Sequence, residues 1–128
     1  AVSAGCHAII IPHKGAAAIN EESIKTSAGG LYHIPVCKVL SLGDSIKFMR
    51  NSGIRTVACT EKAESSIYET SLRGPINILV GSEGDGIDPH LIRMSTDQAL
   101  IPMHGSVSSL NVAVAASVVM FEAVRQRS

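Results

Sequence analysis

The sequence has no tryptophan and few other aromatic residues, which together make up 3% of its 128 positions. Its core must therefore consist of aliphatic side chains, since 45% of the residues are hydrophobic and only 17% are charged. That balance is typical of a globular chain and excludes a disordered one. A chain of this length is the size of one domain and can bury a substantial core.

An excess of charge of one sign is also missing, because 11 lysines and arginines balance 11 aspartates and glutamates. A neutral domain exerts no long-range attraction on nucleic acid. If RNA is the partner, the attraction must come from a local patch, a second subunit or another domain.

Cysteine is scarce, and Cys6, Cys37 and Cys59 lie in or beside apolar stretches. Their odd number and the lack of CxxC spacing argue against a disulfide framework and a zinc site. The five histidines show no metal-ligand spacing either. No stretch reaches the roughly 20 apolar residues of a membrane span, and no signal peptide is visible. We therefore expect no metal, no membrane partner and a reducing, cytoplasmic location.

Apolar runs alternate with helical patterns along the chain. Strands are predicted at 7–11, 34–40, 54–59, 76–80 and 99–101, and helices after Asn20, after Ser41, within 65–70, from Asp88-Pro89, and from Ser106 or Ser108 to about Arg125. The strands are continuous apolar runs, which is typical of a parallel sheet with helices on both faces. The predicted class is therefore α/β, and such sheets bind ligands beyond the carboxyl ends of their strands.

Two polar, glycine-containing segments follow predicted strands: 81–87 (Gly-Ser-Glu-Gly-Asp-Gly-Ile) and 101–111 (Ile-Pro-Met-His-Gly-Ser-Val-Ser-Ser-Leu-Asn). Glycine lets the main chain approach a ligand closely and expose its amides. The first segment has neither the Rossmann glycine spacing nor the lysine of a P-loop. On its own it fits a plain turn as well as a ligand site, and Glu83 within it fits a solvated carboxylate or an acid held beside a ligand.

The second segment carries more polar groups than one helix cap requires. Asn111 is predicted to lie inside an apolar helix, where a buried amide would need partners. This surplus of polar groups favours a site over simple capping. His104 lies in the same segment and receives no role.

The final helix is apolar on nearly all sides, with a stripe formed by Leu110, Val114, Val118, Phe121 and Val124. A helix of this kind must be buried on nearly all sides. The pattern favours a dimer interface, and the alternative is a central helix covered by its own chain. Arg125 and Arg127 suit the C-terminal end of a helix.

The two segments in this order, followed by the ending Phe-Glu-Ala-Val-Arg-Gln-Arg at 121–127, resemble motifs 2 and 3 of the SpoU-type RNA 2′-O-ribose methyltransferases of the SPOUT superfamily. The resemblance covers essentially residues 1–128, and the motif sequences are most similar to those of the bacterial-type large-subunit rRNA guanosine 2′-O-methyltransferases. It implies a C-terminal deep trefoil knot, S-adenosylmethionine as cofactor, RNA (expected to be rRNA) as substrate, and a homodimer through the last helix.

Residue roles follow only from this resemblance. It implies cofactor contacts from Thr60, Gly81, Ser82, Gly84, Gly86, Ile101, Met103, Ser109 and Leu110. It places Glu83, Ser109 and Asn111 near the methyl group and the substrate ribose, as the candidate catalytic residues. The implied reaction is an in-line attack of a ribose 2′-hydroxyl on a sulfonium methyl group, in which positioning supplies much of the acceleration.

The sequence departs from the family at motif 1, whose asparagine and proton-removing arginine have no counterpart here. Arg50 and Arg55 lie in the wrong context to replace that arginine. We therefore expect residues 1–128 to be a catalytic domain without its first strand–helix unit, inactive as it stands. The alternatives are a non-catalytic SPOUT-like, RNA-associated binding module lacking motif 1, and an unrelated α/β nucleotide-binding domain.

Overall fold

The computed structural model describes residues 1–12, 34–81, 86–106 and 110–128. These fall into two compact units, 1–45 and 46–128. The helix predicted after Asn20 lies outside the described residues. The described part forms five strands and three α-helices, and every strand pair in it is parallel. The predicted parallel α/β class is confirmed.

The first unit contains a 3-10 turn at Val2–Ala4 and two strands, β1 (Ile9–Pro12) and β2 (Val36–Val39). The two strands pair in parallel, with Ile9 opposite Val36 and Pro12 opposite Val39. Pro12 ends its strand, as expected of a residue that has no N–H to donate to a ladder.

Helix α1 (Leu42–Asn51) begins and ends where the sequence predicted. The Oγ of Ser41 accepts a hydrogen bond from the N–H of Asp44 at 3.1 Å, which satisfies one of the open donors of the first turn. At the other end, Gly53 adopts a φ of 85°. The N–H of Gly53 donates to Arg50 O, and the next N–H donates to Met49 O. This is the Schellman arrangement, which favours glycine.

The second unit contains β3 (Arg55–Cys59), β4 (Ile76–Leu79) and β5 (Asp97–Ala99), with β3 between the other two. Strand β5 begins two residues before the predicted 99–101 run. Its first residues are polar, so no apolar run marks them. Asp97 nevertheless pairs with Val57 of β3 in the parallel ladder. Its Oδ2 also forms an ion pair with Arg55 Nη1 at 2.7 Å.

Two further helices belong to the second unit, α2 (Pro89–Met94) and α3 (Val112–Arg127). Helix α2 starts as predicted, with Asp88 Oδ1 accepting from His90 N at 2.8 Å. The helix predicted within 65–70 is wrong. The N–H groups of Glu69 and Thr70 both donate to Ser66 O, forming a single turn, while Ser66 also forms a parallel bridge with Leu100.

The core of the second unit is aliphatic, as the composition required. Its members are Val57, Ile67, Leu72, Ala99, Val119 and Ala123. They come from β3, the segment after it, β5 and the inward face of α3, so the core lies where these elements meet. None of the helices in the described ranges is long and apolar enough to cross a membrane.

Candidate functional site

Strands β3, β4 and β5 end at a common edge because all three run in the same direction. Cys59 lies opposite Ala99 in the register, so the chain leaves neighbouring strands at nearly the same level. Thr60 follows β3 directly, while Gly81 and Ile101 lie two positions beyond β4 and β5. The structure thus brings together three predicted site residues from separate parts of the sequence.

Thr60 is buried and held by several hydrogen bonds at the exit of β3. Its N–H donates to Ala99 O at 3.0 Å, its carbonyl accepts from Ala63 N at 3.1 Å, and its Oγ1 accepts from Lys62 N at 3.2 Å. These contacts form a tight turn whose start is tied to the neighbouring strand. The position of Thr60 is therefore set by the backbone around it.

The exits of β3 and β5 are joined further along the chain. Leu100 N donates to Ser65 O at 2.8 Å, and Ile67 N donates to Leu100 O at 2.8 Å. Leu100, which directly precedes the second polar segment, is thus hydrogen-bonded to the loop after β3 through both its N–H and its carbonyl. Ile101, the next residue, is partly buried against the core.

Gly81 lies where no side chain fits. A Cβ on it would overlap the carbonyl carbon of Gly86 and lie 2.7 Å from the N of Ile87. Gly86 has a φ of 69°, in the left-handed region that favours glycine. The sequence suggested that glycine here lets a ligand approach, and the structure gives another reason, which is that the two ends of the segment touch.

The second polar segment itself carries apolar side chains. Met103 and Leu110 are each 38% exposed, and Ile101 is partly buried. A segment with partly exposed apolar side chains and main-chain polar groups suits a ligand that is part aromatic and part polar.

Asn111 is the N-cap of α3 and not an interior residue. Its Oδ1 accepts from Ala113 N at 2.8 Å and from Val114 N at 3.4 Å, and the residue is exposed. The predicted start at Ser106 or Ser108 is therefore wrong, as is the expectation of a buried amide. Asparagine is among the best N-caps, which explains why the helix starts there.

Four of the predicted site residues lie outside the described residues: Ser82, Glu83, Gly84 and Ser109. Their roles remain predictions from the resemblance. Within the described ranges there is no group of three or more histidine, cysteine or acidic side chains that could hold a metal ion.

The thiol of Cys59 lies just before Thr60 and is half-buried at the end of β3. Burial raises its pKa to about 12. A thiol with so high a pKa is protonated at neutral pH and is a poor nucleophile. This excludes Cys59 as an attacking group at this edge. The described residues here suit the binding and orientation of a ligand more than covalent catalysis.

Contacts from the end of α3 to the loop after β3 were missed in the sequence. Gln126 bonds to the backbone of that loop, and Arg127 donates to Leu72 O through Nε at 3.2 Å and Nη2 at 3.0 Å. The sequence suggested only a favourable charge for Arg127. No local pattern signals a contact between residues 55 positions apart.

A family model described as the SpoU rRNA methylase family matches residues 1–121. A 23S rRNA (guanosine-2′-O-)-methyltransferase, RlmB, from Photorhabdus laumondii is 40% identical over 127 residues, which cover 98% of this chain and 52% of that protein. The corresponding protein of Xanthomonas campestris is 41% identical over 128 residues, covering 99% and 51%. The chain spans about half the length of the curated relatives it matches.

Solved structures agree with the sequence relatives. The SpoU methyltransferase AviRb from Streptomyces viridochromogenes, in complex with the cofactor AdoMet, superposes with a TM-score of 0.87 at 32% identity. The match covers 98% of this chain and 49% of that one. An RNA 2′-O ribose methyltransferase superposes with a TM-score of 0.86 at 29% identity, covering 98% of this chain and 48% of the other.

Proposed function

The chain belongs to the SpoU rRNA methylase family, and from that premise we propose that it transfers a methyl group from S-adenosylmethionine to a ribose 2′-hydroxyl of RNA, in particular rRNA. We take residues 1–128 as part of the catalytic domain. The observation that carries the proposal is the meeting of Thr60, Gly81 and Ile101 at one edge of three parallel strands. An unrelated nucleotide-binding domain is excluded by the family membership.

The residues at this edge fit S-adenosylmethionine. Thr60, Gly81, Gly86 and Ile101 would hold it largely through main-chain groups, and Met103 and Leu110 offer apolar surface to the adenine. Ser82, Gly84 and Ser109 join this set by the resemblance alone. When bound, the cofactor supplies a methyl group activated by its sulfonium charge.

We assign Glu83, Ser109 and Asn111 to the orientation of the ribose beside that methyl group. Asn111 would take this role from the N-cap position directly before α3, where its Oδ1 also caps the helix. Methyl transfer to a hydroxyl depends on alignment of the reacting atoms, and polar side chains at a fixed helix start can supply it. We further propose that the chain has the trefoil knot of the family, and that this knotted path brings the two polar segments past each other.

We also propose that α3 forms a homodimer interface. Its inward face is closed by Val119 and Ala123, which are buried. Val114 and Phe121 on the other side are about half exposed, at 50% and 51%, and Val124 is 37% exposed. Their spacing of seven and three residues puts them on one face of the helix. An exposed aliphatic and aromatic stripe of this kind is typical of an oligomer contact.

The dimer proposal is tested by sedimentation of the Phe121→Lys variant. We expect the wild-type chain to sediment as a dimer and the variant as a monomer, because a charge in an apolar interface is costly. Lys47→Ala on the exposed surface of α1 is the control and should stay dimeric. A monomeric wild type at micromolar concentration would contradict the proposal.

RNA recognition requires more than this neutral surface. We propose that the pairing of two copies, or a further RNA-binding segment, supplies the positive patch. The reaction would take place in the cytoplasm, where rRNA is accessible to a bacterial-type enzyme.

The experiment that tests the function is a map of 2′-O-methyl groups in rRNA from cells with and without the gene, paired with methyl transfer by the purified full-length protein. We expect one or a few methylated riboses to disappear on deletion and to return on incubation with the protein and S-adenosylmethionine. Binding of S-adenosylhomocysteine without any transfer would instead favour the non-catalytic binding module. An unchanged map with no binding would contradict both.

A further inference from the structure

Residues 65–74, all within the described ranges, form neither an α-helix nor an extended strand. Two of their side chains, Ile67 and Leu72, are nevertheless completely buried in the core. The backbone groups of such a segment need hydrogen-bond partners that regular secondary structure does not provide. The last turn of α3 provides several of them.

Gln126 is the centre of this contact. Its Oε1 accepts from Leu72 N at 2.7 Å, and its Nε2 donates to Thr70 O at 3.0 Å. The same Nε2 lies 3.5 Å from Ile67 O. One side-chain amide thus bonds to the segment at both its donors and its acceptors.

Glu122, one turn earlier, sets the orientation of that amide. Its side chain is only 4% exposed, and its Oε2 accepts from Gln126 Nε2 at 3.0 Å. A carboxylate can only accept, so the amide must present its nitrogen to Glu122 and its oxygen to Leu72. Arg125 neutralises the carboxylate from outside, through Nε at 2.6 Å and Nη2 at 2.9 Å.

The segment that Gln126 holds is also the segment that holds the exit of β5. Ser65 and Ile67 bond to both sides of Leu100, and the turn before them begins at Thr60. The end of α3 is therefore connected to the edge where the candidate site lies through the side chain of Gln126, the chain from 72 back to 65, and the backbone hydrogen bonds on both sides of Leu100.

We propose that Gln126, oriented by Glu122, is a positioning residue of the cofactor site, holding residues 67–72 so that the turn at Thr60 and the exit at Leu100 keep their places. The inference rests on the proposed function, since it takes the Thr60 turn as one wall of the S-adenosylmethionine site. It assigns a role in the site to a residue that lies at the far end of α3 from Asn111.

The test compares Gln126→Met, which keeps the side chain's length but removes its hydrogen bonds, with Ser128→Ala. Ser128 lies at the same helix end, and among the described residues its Oγ donates to Val124 O of its own helix. In the full-length protein we measure the affinity for S-adenosylhomocysteine well below the melting temperature, the KM and kcat of methyl transfer, and amide hydrogen exchange.

We expect Gln126→Met to weaken S-adenosylhomocysteine binding about tenfold, the effect of losing one or two hydrogen bonds. The KM for the cofactor should rise with it while kcat at saturation stays near the wild-type value. Exchange should quicken at Leu72 and also at Thr60 and Ala63. Ser128→Ala should leave all of these unchanged.

Faster exchange at Leu72 alone, with wild-type affinity and KM, would overturn the inference and leave Gln126 a purely structural contact. If the wild-type protein binds no S-adenosylhomocysteine, the proposed function fails, and exchange at Thr60 and Ala63 then decides this inference. Should Gln126→Met not fold, the same measurements are made on Glu122→Gln. The same changes are expected there, because a neutral amide at position 122 no longer dictates the orientation of Gln126.

Discussion

The loops after β3 and β4 leave neighbouring parallel strands but are stabilised in different ways. The loop after β3 is held by buried side chains, by Leu100 and by the distant end of α3. The loop after β4 is closed at its described ends by the contact between Gly81 and Gly86. Contacts distant in sequence set the position of the first loop, whereas the described ends of the second meet at two glycines five positions apart.

The largest expected effect is on the loop after β3. Leu72→Ala should lower the free energy of unfolding by about 3 kcal/mol, because it leaves a cavity in a fully buried position. Denaturant unfolding measures the change. Leu40→Ala is the control, since Leu40 is 91% exposed and its loss should cost less than about 0.5 kcal/mol. Equal effects at the two positions would show that the loop is not anchored in the core.

The loop after β4 should respond next. Gly81→Ala forces a Cβ against the backbone of Gly86, so we expect about 2 kcal/mol of strain and a matching loss of S-adenosylhomocysteine affinity by calorimetry. The matched control is Gly105→Ala, where a Cβ meets nothing within 4 Å. Wild-type affinity in Gly81→Ala would mean that the segment does not form a wall of the site.

Removal of the N-cap of α3 should have a smaller effect on stability. Asn111→Ala should lower stability by about 1 kcal/mol, because Ala113 N and Val114 N lose their acceptor. Asn111→Asp retains an acceptor and should restore stability. If the side chain also orients the substrate, methyl transfer should remain low in Asn111→Asp. Full activity in that variant would assign Asn111 to capping alone.

The smallest expected effect concerns the side-chain carboxylate of Glu122, which orients Gln126 against the loop after β3. Hydrogen bonds from Arg125 and then Gln126 hold the pKa of Glu122 below its ordinary value of 4.5. A lowered pKa means that ionised Glu122 stabilises the folded state above pH 4.5, and that this stability is lost as the pH falls through the lowered pKa. The stability difference between wild type and Glu122→Gln should therefore shrink in acid. A difference independent of pH would contradict this.

The difference between contacts close in sequence and contacts distant in sequence also explains what the sequence could predict. The Ser41 cap, the Asp88-Pro89 start and the Gly53 stop involve residues within five positions of each other, and all three were predicted. The polar start of β5 and the turn at Ser66 were missed, because each depends on a strand or loop far away in the sequence. The bond between Leu72 and Gln126 joins residues 54 positions apart, so no local pattern indicates it.

The candidate site follows the same rule. Thr60, Gly81 and Ile101 were named from motif resemblance, and the parallel register shows why they meet at one edge. Asn111 was named for a surplus of polar groups inside a helix, yet it lies at the helix start and its burial was wrongly expected. A propensity for capping was visible in the sequence, but the choice among four neighbouring polar residues was not.

The most direct test of the central claim is amide hydrogen exchange of the full-length protein with and without saturating S-adenosylhomocysteine. We expect exchange to slow at Thr60, Ala63, Gly81 and Ile101, and to stay unchanged in β1 and the first turns of α1. If the ligand binds but protects amides elsewhere and leaves these four at their unliganded rates, the edge of β3, β4 and β5 is not the cofactor site.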